Sequence, residues 1–264
     1  MKPFSVFLAL LVALLAPVVP AGALYKPFST ESGTARVDYG FQLEVIGANG
    51  AVKPEVEAEG DRKVIARPGE RYSIRVYNPL PVRAVVNLTV DGVNTIDGKP
   101  CGIADGSRWM MEPMSWTTIR GWQVNGGEAR RFFFTKSGRS YAAWRGVQLH
   151  RNLAANCGVI GAAFFWNRGE LAQWQEEVSR RSCNRYPCAS QGMAMLDKAE
   201  TSPMAKEKAG TGMGERESHA VHAVEFTADA GMFEPKDALV LYYGFDEPTR
   251  PNPFPALSFA PEMP

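Results

Sequence analysis

Between Val64 and Cys101 the chain twice alternates apolar with polar residues at a period of two, and prolines and glycines bound each run. That period marks an extended strand with one buried face, because successive side chains point to opposite sides. Tyr72, Ile74 and Val76 alternate with Ser73, Arg75 and Tyr77; farther on, Val86, Leu88 and Val90 alternate with Val85, Asn87 and Thr89. Pro68-Gly69 supplies turn chemistry before the first run. Asn78-Pro79-Leu80-Pro81 separates the two, since proline has no N–H to give to a ladder. Asp91-Gly92 closes the second with a dipeptide suited to a tight hairpin. Strand, break, strand and turn predict an antiparallel pair.

The same reading extends along the chain. A first strand is predicted within Arg36 to Ile46, and an edge strand at Val52 to Glu59 because it contains Pro54. Trp109–Glu112, Trp116–Ile119, Arg130–Phe134, Val221–Thr227 and Ala238–Phe245 read as further strands. Cys157 to Phe165 is nearly unbroken apolar sequence, and its shortness and two glycines favour a central strand over a buried helix. The expected fold is all-β, an antiparallel β-sandwich of Ig-like or jelly-roll-like type, spanning residues 24–245. Glu170 to Arg181 reads as a helix, with Leu171, Trp174 and Val178 on one side. Residues 182–209 show no period, so 167–209 is expected to be an insertion, partly helical and partly disordered. Six prolines after Asp246 predict an extended tail over 246–264.

Lys2, an apolar run from Phe4 to Val19, and Ala21-Gly22-Ala23 form the pattern of a signal peptide over 1–23. The run is shorter than the roughly 20 residues of a spanning helix, and no later stretch is suited to cross a membrane. The expected location is periplasmic or extracellular. The chain carries 29 Lys and Arg against 28 Asp and Glu, and losing Lys2 with the leader makes the balance neutral. A neutral domain has no global field to attract nucleic acid.

Pro68-Gly69-Glu70-Arg71-Tyr72 with Arg75-Val76-Tyr77-Asn78, then Val90-Asp91-Gly92-Val93-Asn94 and Asp97-Gly98-Lys99-Pro100, resemble a group of secreted bacterial β-sandwich proteins with no assigned activity. Ser140-Tyr141-Ala142-Ala143, the run from Gly158 to Phe165, and Gly210-Thr211-Gly212 with Gly214-Glu215 are similar too, so the likeness covers about residues 52 to 245. The resemblance implies the fold and carries over no catalytic residue.

Four cysteines in an exported chain make disulfides the default. The pairing Cys183–Cys188 with Cys101–Cys157 is favoured, and crossed pairings or free thiols are the alternatives. His219 and His222 invite a metal reading, but i and i+3 on a strand point to opposite faces. Gly210-Thr-Gly-Met-Gly-Glu lacks the strand before it and the helix after it that a phosphate loop needs, and is expected to be a turn bringing backbone close to backbone. Asp91 and Asp97 suggest a carboxylate pair for glycoside hydrolysis, yet each precedes a glycine, and turn initiation explains both. Trp109, Trp116, Trp122 and Trp144 crowd the middle of the chain, where aromatic faces fill a core or stack on a ligand.

These residues point to a non-enzymatic, exported module without cofactor or metal that binds a protein or glycan partner at the cell envelope, with Trp109, Trp116 and Trp122 as candidate binding residues. A carboxylate-dependent hydrolase and an assembly factor using an exposed strand edge are the competing readings.

Overall fold

The alternating runs at Tyr72–Tyr77 and Val85–Val90 both form strands, but the two lie in different sheets. The structure, a computed structural model, describes residues 39–58, 60–182, 208–227 and 235–245. The leader, Cys183, Cys188, most of the predicted disordered part of the insertion and the proline-rich tail lie outside the described residues.

One sheet carries β1 (Gln42–Gly47), β4 (Arg71–Asn78), β10 (Glu128–Lys136) and β12 (Ala209–Ser218) in that order. β8 (Ser115–Ile119) adds to β4, and β9 (Gly121–Asn125) adds to β10. The other sheet runs β2 (Glu55–Ala58), β3 (Asp61–Ile65), β13 (Asp237–Gly244), β11 (Val159–Trp166), β5 (Ala84–Val90) and β6 (Val93–Asn94), with β7 (Trp109–Met111) also on β5. Pairing is antiparallel except between β3 and β13, which run parallel. Neither sheet closes on itself, and the architecture is the expected all-β sandwich with a helical insertion.

The core lies between the sheets. Leu43, Val45, Ile74, Val76, Phe132 and Phe134 face Val86, Leu88, Val90, Ile160, Phe164 and Leu241, all fully buried. At roughly 2 kcal/mol for each large apolar side chain, this interior is the main favourable contribution to the fold. β11 is buried along its whole length, as its apolar run requires. β5 is also buried on both faces, although its sequence alternates. Asn87 explains this: its Nδ2 donates to the carbonyls of Gly102 (3.1 Å) and Ile103 (3.0 Å), holding the chain after Cys101 over the outer side of β5.

The predicted antiparallel pairing of Tyr72–Tyr77 with Val85–Val90 is not formed. β4 pairs with β1 and β8, and β5 pairs with β11, β6 and β7. The stretch Asn78-Pro79-Leu80-Pro81 is a corner between sheets and not a hairpin, and Asn78 organises it. Its buried side chain accepts from Leu80 N–H (3.0 Å) and donates to the carbonyls of Val82 (2.9 Å) and Glu112 (3.0 Å). Two further expectations change. Residues 219–227 form no strand, so Val221–Thr227 is corrected to an irregular segment whose Val221 N–H donates to Gly126 O at 2.8 Å. The glycine-rich run at 210–214 is part of strand β12 and not a turn. Gly212 lies under the Phe133 ring, where an added Cβ would meet a ring carbon at 2.2 Å.

Two α-helices occur among the described residues. α1 (Tyr141–Gln148) has no counterpart in the sequence reading, although Ser140 caps it by accepting from Ala143 N–H at 3.0 Å. α2 (Arg168–Ser182) occupies the predicted helical segment. No helix among the described residues is long and apolar enough to cross a membrane.

Replacing Asn78 with Ala leaves buried backbone groups at the corner without their partner. A loss of about 3 kcal/mol is expected in urea denaturation. A loss below about 0.5 kcal/mol would show that the corner does not depend on this side chain.

Candidate functional site

Asp91 and Gly92 take φ of 55° and 74°, which gives the two-residue hairpin between Val90 and Val93 that the Asp-Gly dipeptide predicts. The carboxylate, however, does not serve its own turn. It is fully buried, with Oδ1 accepting from Gly158 N–H (2.9 Å) and Tyr243 O–H (2.5 Å) and Oδ2 accepting from Thr211 N–H (2.7 Å). An ionised carboxylate only accepts, so Tyr243 must donate to it. With that proton used, the Thr211 hydroxyl donates to Tyr243 Oη (2.7 Å), and Tyr72 donates to Thr211 Oγ1 (2.7 Å). Each hydroxyl of the chain points its proton toward Asp91. Burial pushes the Asp91 carboxyl up to about 6, against the lowering effect of Tyr243, Thr211 and Gly158. Burial likewise raises Tyr72 and Tyr243 above the usual phenol range.

Asp97 behaves as the sequence suggests. It is exposed, and its Oδ1 accepts from Lys99 N–H (3.0 Å) within its own turn while Oδ2 accepts from Ser107 Oγ (2.9 Å). One carboxylate is sealed in the core and the other stands in solvent, so the two share no cleft and the paired-carboxylate geometry is absent.

Cys101 and Cys157 are both free and buried, and the expected bridge between them is not formed. Each thiol has its own surroundings. Cys101 lies against the Asn87 amide at 3.8 Å, and burial pushes it up to about 11. Cys157 lies 3.2 Å from Ser140 Oγ beside Asp91, and burial followed by the Asp91 charge raises it further. Raised thiols out of solvent are poor nucleophiles. His219 Nδ1 pairs with Gln123 Oε1 at 2.8 Å, while His222 is exposed on the irregular segment. No group of three metal-ligating side chains occurs among the described residues.

The structure separates the tryptophans. Trp122 is 1% exposed, edge-on to Phe132 and beside Tyr141, so its expected role in binding is corrected to a role in the core. Trp109 is half-buried, with its indole N–H donating to Thr95 Oγ1 at 2.9 Å. Trp144 stacks on Tyr141 from α1. Trp116 is 39% exposed and stands on the outer face of the first sheet. Its ring lies 5.1 Å from that of Tyr77, directly across the ladder, and the Arg75 guanidinium sits 4.2 Å over it. Arg75 is held from its other side by Glu44 at 2.6 Å. Three adjacent strands therefore present a connected Glu44–Arg75–Trp116 row, and the indole is fixed by a cation–π contact.

On β4 the outward residues after Tyr77 and Arg75 are Ser73 and Arg71, since the inward positions Tyr72, Ile74 and Val76 are buried. The outer face is thus a strip about 20 Å long, aromatic at one end and basic at the other. Sequence reasoning singled out Trp116 but not its neighbours. The alternation had already placed Ser73, Arg75 and Tyr77 on one face, while the strands that flank them follow only from the pairing.

Two consequences of the buried carboxylate are measurable. Asp91→Ala orphans two backbone N–H groups and a tyrosine hydroxyl, and is expected to cost 3 kcal/mol or more, against about 1 kcal/mol for an aspartate serving only its turn. The folded chain also keeps a proton that the unfolded chain releases between pH 3.8 and about 6. This stabilising contribution is complete below the lower value and lost as pH rises through the upper one. Relative to Asp91→Asn, the wild type should lose on the order of 2 to 3 kcal/mol between pH 4 and pH 7 in urea denaturation. Parallel profiles would assign that titration to another group.

Compared with known proteins, the chain matches no family model, no curated protein and no solved structure.

Proposed function

We propose that this chain is an exported, non-enzymatic β-sandwich module that binds a protein or glycan partner at the cell envelope through the outer face of its first sheet. The observation that carries the reading is Trp116, a large aromatic side chain left 39% exposed yet held in place by Tyr77 and the Glu44–Arg75 pair. An immobilised indole has little ordering entropy left to lose on contact, which is what makes aromatic anchors effective in recognition. The leader-like sequence over residues 1–23 supports export. The burial of Asp91 and the separate position of Asp97 favour binding over carboxylate hydrolysis.

Trp116→Ala tests the reading, because the side chain contributes little to the core. Immobilised wild type and variant would be compared for retention of envelope proteins and envelope glycans. The variant is expected to keep its melting temperature within about 2 °C and to lose binding by roughly tenfold or more. Equal retention by both proteins would remove the strip as the binding face.

A further inference from the structure

At the end of the strip opposite Trp116, three guanidinium groups surround a hollow of about 280 Å³, lined by Arg71, Arg120 and Arg131 with Ile46, Gly47 and Ser73. Their ion pairing is unequal. Arg120 (3.0 Å) and Arg131 (2.7 and 3.1 Å) both donate to the one carboxylate of Glu217. Arg71 pairs with Glu215 at 2.6 Å, and both side chains remain largely in solvent, at 57% and 45% exposure. Three positive charges therefore meet two negative ones. Elsewhere on this sheet Arg75 with Glu44 and Arg216 with Glu128 are matched singly. A guanidinium carries five N–H donors in a planar fork suited to an oxyanion, and one carboxylate shared by two guanidinium groups, as Glu217 is, engages only part of that capacity. The excess positive charge acts on its neighbours. The Glu215 carboxyl is held below its usual range by its own backbone N–H and then by Arg71 and Arg131, and His219 is lowered by burial and then by Arg120.

We infer that this hollow binds the anionic group of an acidic glycan whose rings extend along β4 toward Tyr77 and Trp116. The inference rests on the reading of the strip as a binding face and adds the ligand's class. A glycan fits this place better than an acidic peptide. β4 is paired on both edges, by β1 and by β8, so its backbone N–H and C=O groups are engaged in ladders. An extended peptide would find no main-chain partners there, whereas a sugar needs only an aromatic face and side-chain hydrogen bonds. Carboxylate, sulfate and phosphate share the chemistry that the arginines recognise.

The test is binding of the full-length protein, after export, to an array of length-matched neutral, uronate, sulfated and phosphorylated oligosaccharides, with hexaglutamate as the peptide probe. Wild type, Trp116→Ala and Arg71→Gln/Arg120→Gln are compared. The two arginines are largely exposed (57% and 53%), so their double variant is expected to fold normally. Binding should concentrate on acidic oligosaccharides, weaken with added salt and fall about tenfold or more in the arginine variant. Which acidic class binds best identifies the anion. Binding of neutral glycans that is lost in Trp116→Ala and kept in the arginine variant would overturn the inference and leave the binding face standing. Hexaglutamate bound as tightly as the acidic glycans would overturn the choice of glycan in favour of an acidic peptide. No binding anywhere on the array would overturn the inference, and the retention experiment with Trp116→Ala then decides separately whether the strip binds a protein partner.

Discussion

Three donors converge on the Asp91 carboxylate inside the sandwich, and they come from both sheets. Tyr243 is on β13 and Gly158 immediately precedes β11, both strands of the sheet of β5, while Thr211 sits on β12 of the other, and Thr211 passes the hydrogen-bond chain on to Tyr72 on β4. A dry carboxylate is costly to bury, and its cost is offset only if its acceptor sites are filled. The strands carrying these donors must therefore hold their relative places while the charge is present. Gly158, at φ 96°, belongs to the same constraint: it donates to Asp91, and a side chain there would press on the Tyr243 carbonyl at 3.0 Å.

This interior fixes the exterior through the pleat. On β4, Tyr72 points inward to the hydroxyl chain, while its neighbours Arg71 and Ser73 point outward and line the basic hollow. The adjacent turns of the pleat set Arg75 and Tyr77 against Glu44 and Trp116. Whatever anchors Tyr72 thus sets the position of the outward row. A rigid support beneath a contact face lowers the entropy that binding must overcome.

Much of the fold is legible in local sequence because it depends on local chemistry. Period-two alternation locates β4 and β5, the continuous apolar run locates β11, and Asp91-Gly92 locates its hairpin. What is not legible is non-local. Nothing in Asn78-Pro79-Leu80-Pro81 distinguishes a hairpin break from a corner between sheets, because the deciding contacts are to Val82 and Glu112. Asp91 reads as a turn residue, since its donors lie 67 to 152 residues away along the chain. The glycines of β12 read as a turn because their partner, the Phe133 ring, comes from another strand. Cys101 and Cys157 look like a pair by number, yet both thiols are free, one against Asn87 and the other against Ser140. For the candidate face the same division holds: Trp116 is visible by type, and the arginines become a cluster only once β4, β10 and the link between β8 and β9 come together.

If the Asp91 carboxylate ties the two sheets together, its donors should be freed only when the whole sandwich opens. Native-state hydrogen exchange of the Gly158 and Thr211 amides, followed against urea, measures this directly. Both amides are expected to exchange with the free energy and denaturant dependence of global unfolding. Exchange that is faster and independent of urea would show that the carboxylate lets go locally, and that the sheets are held together by other means.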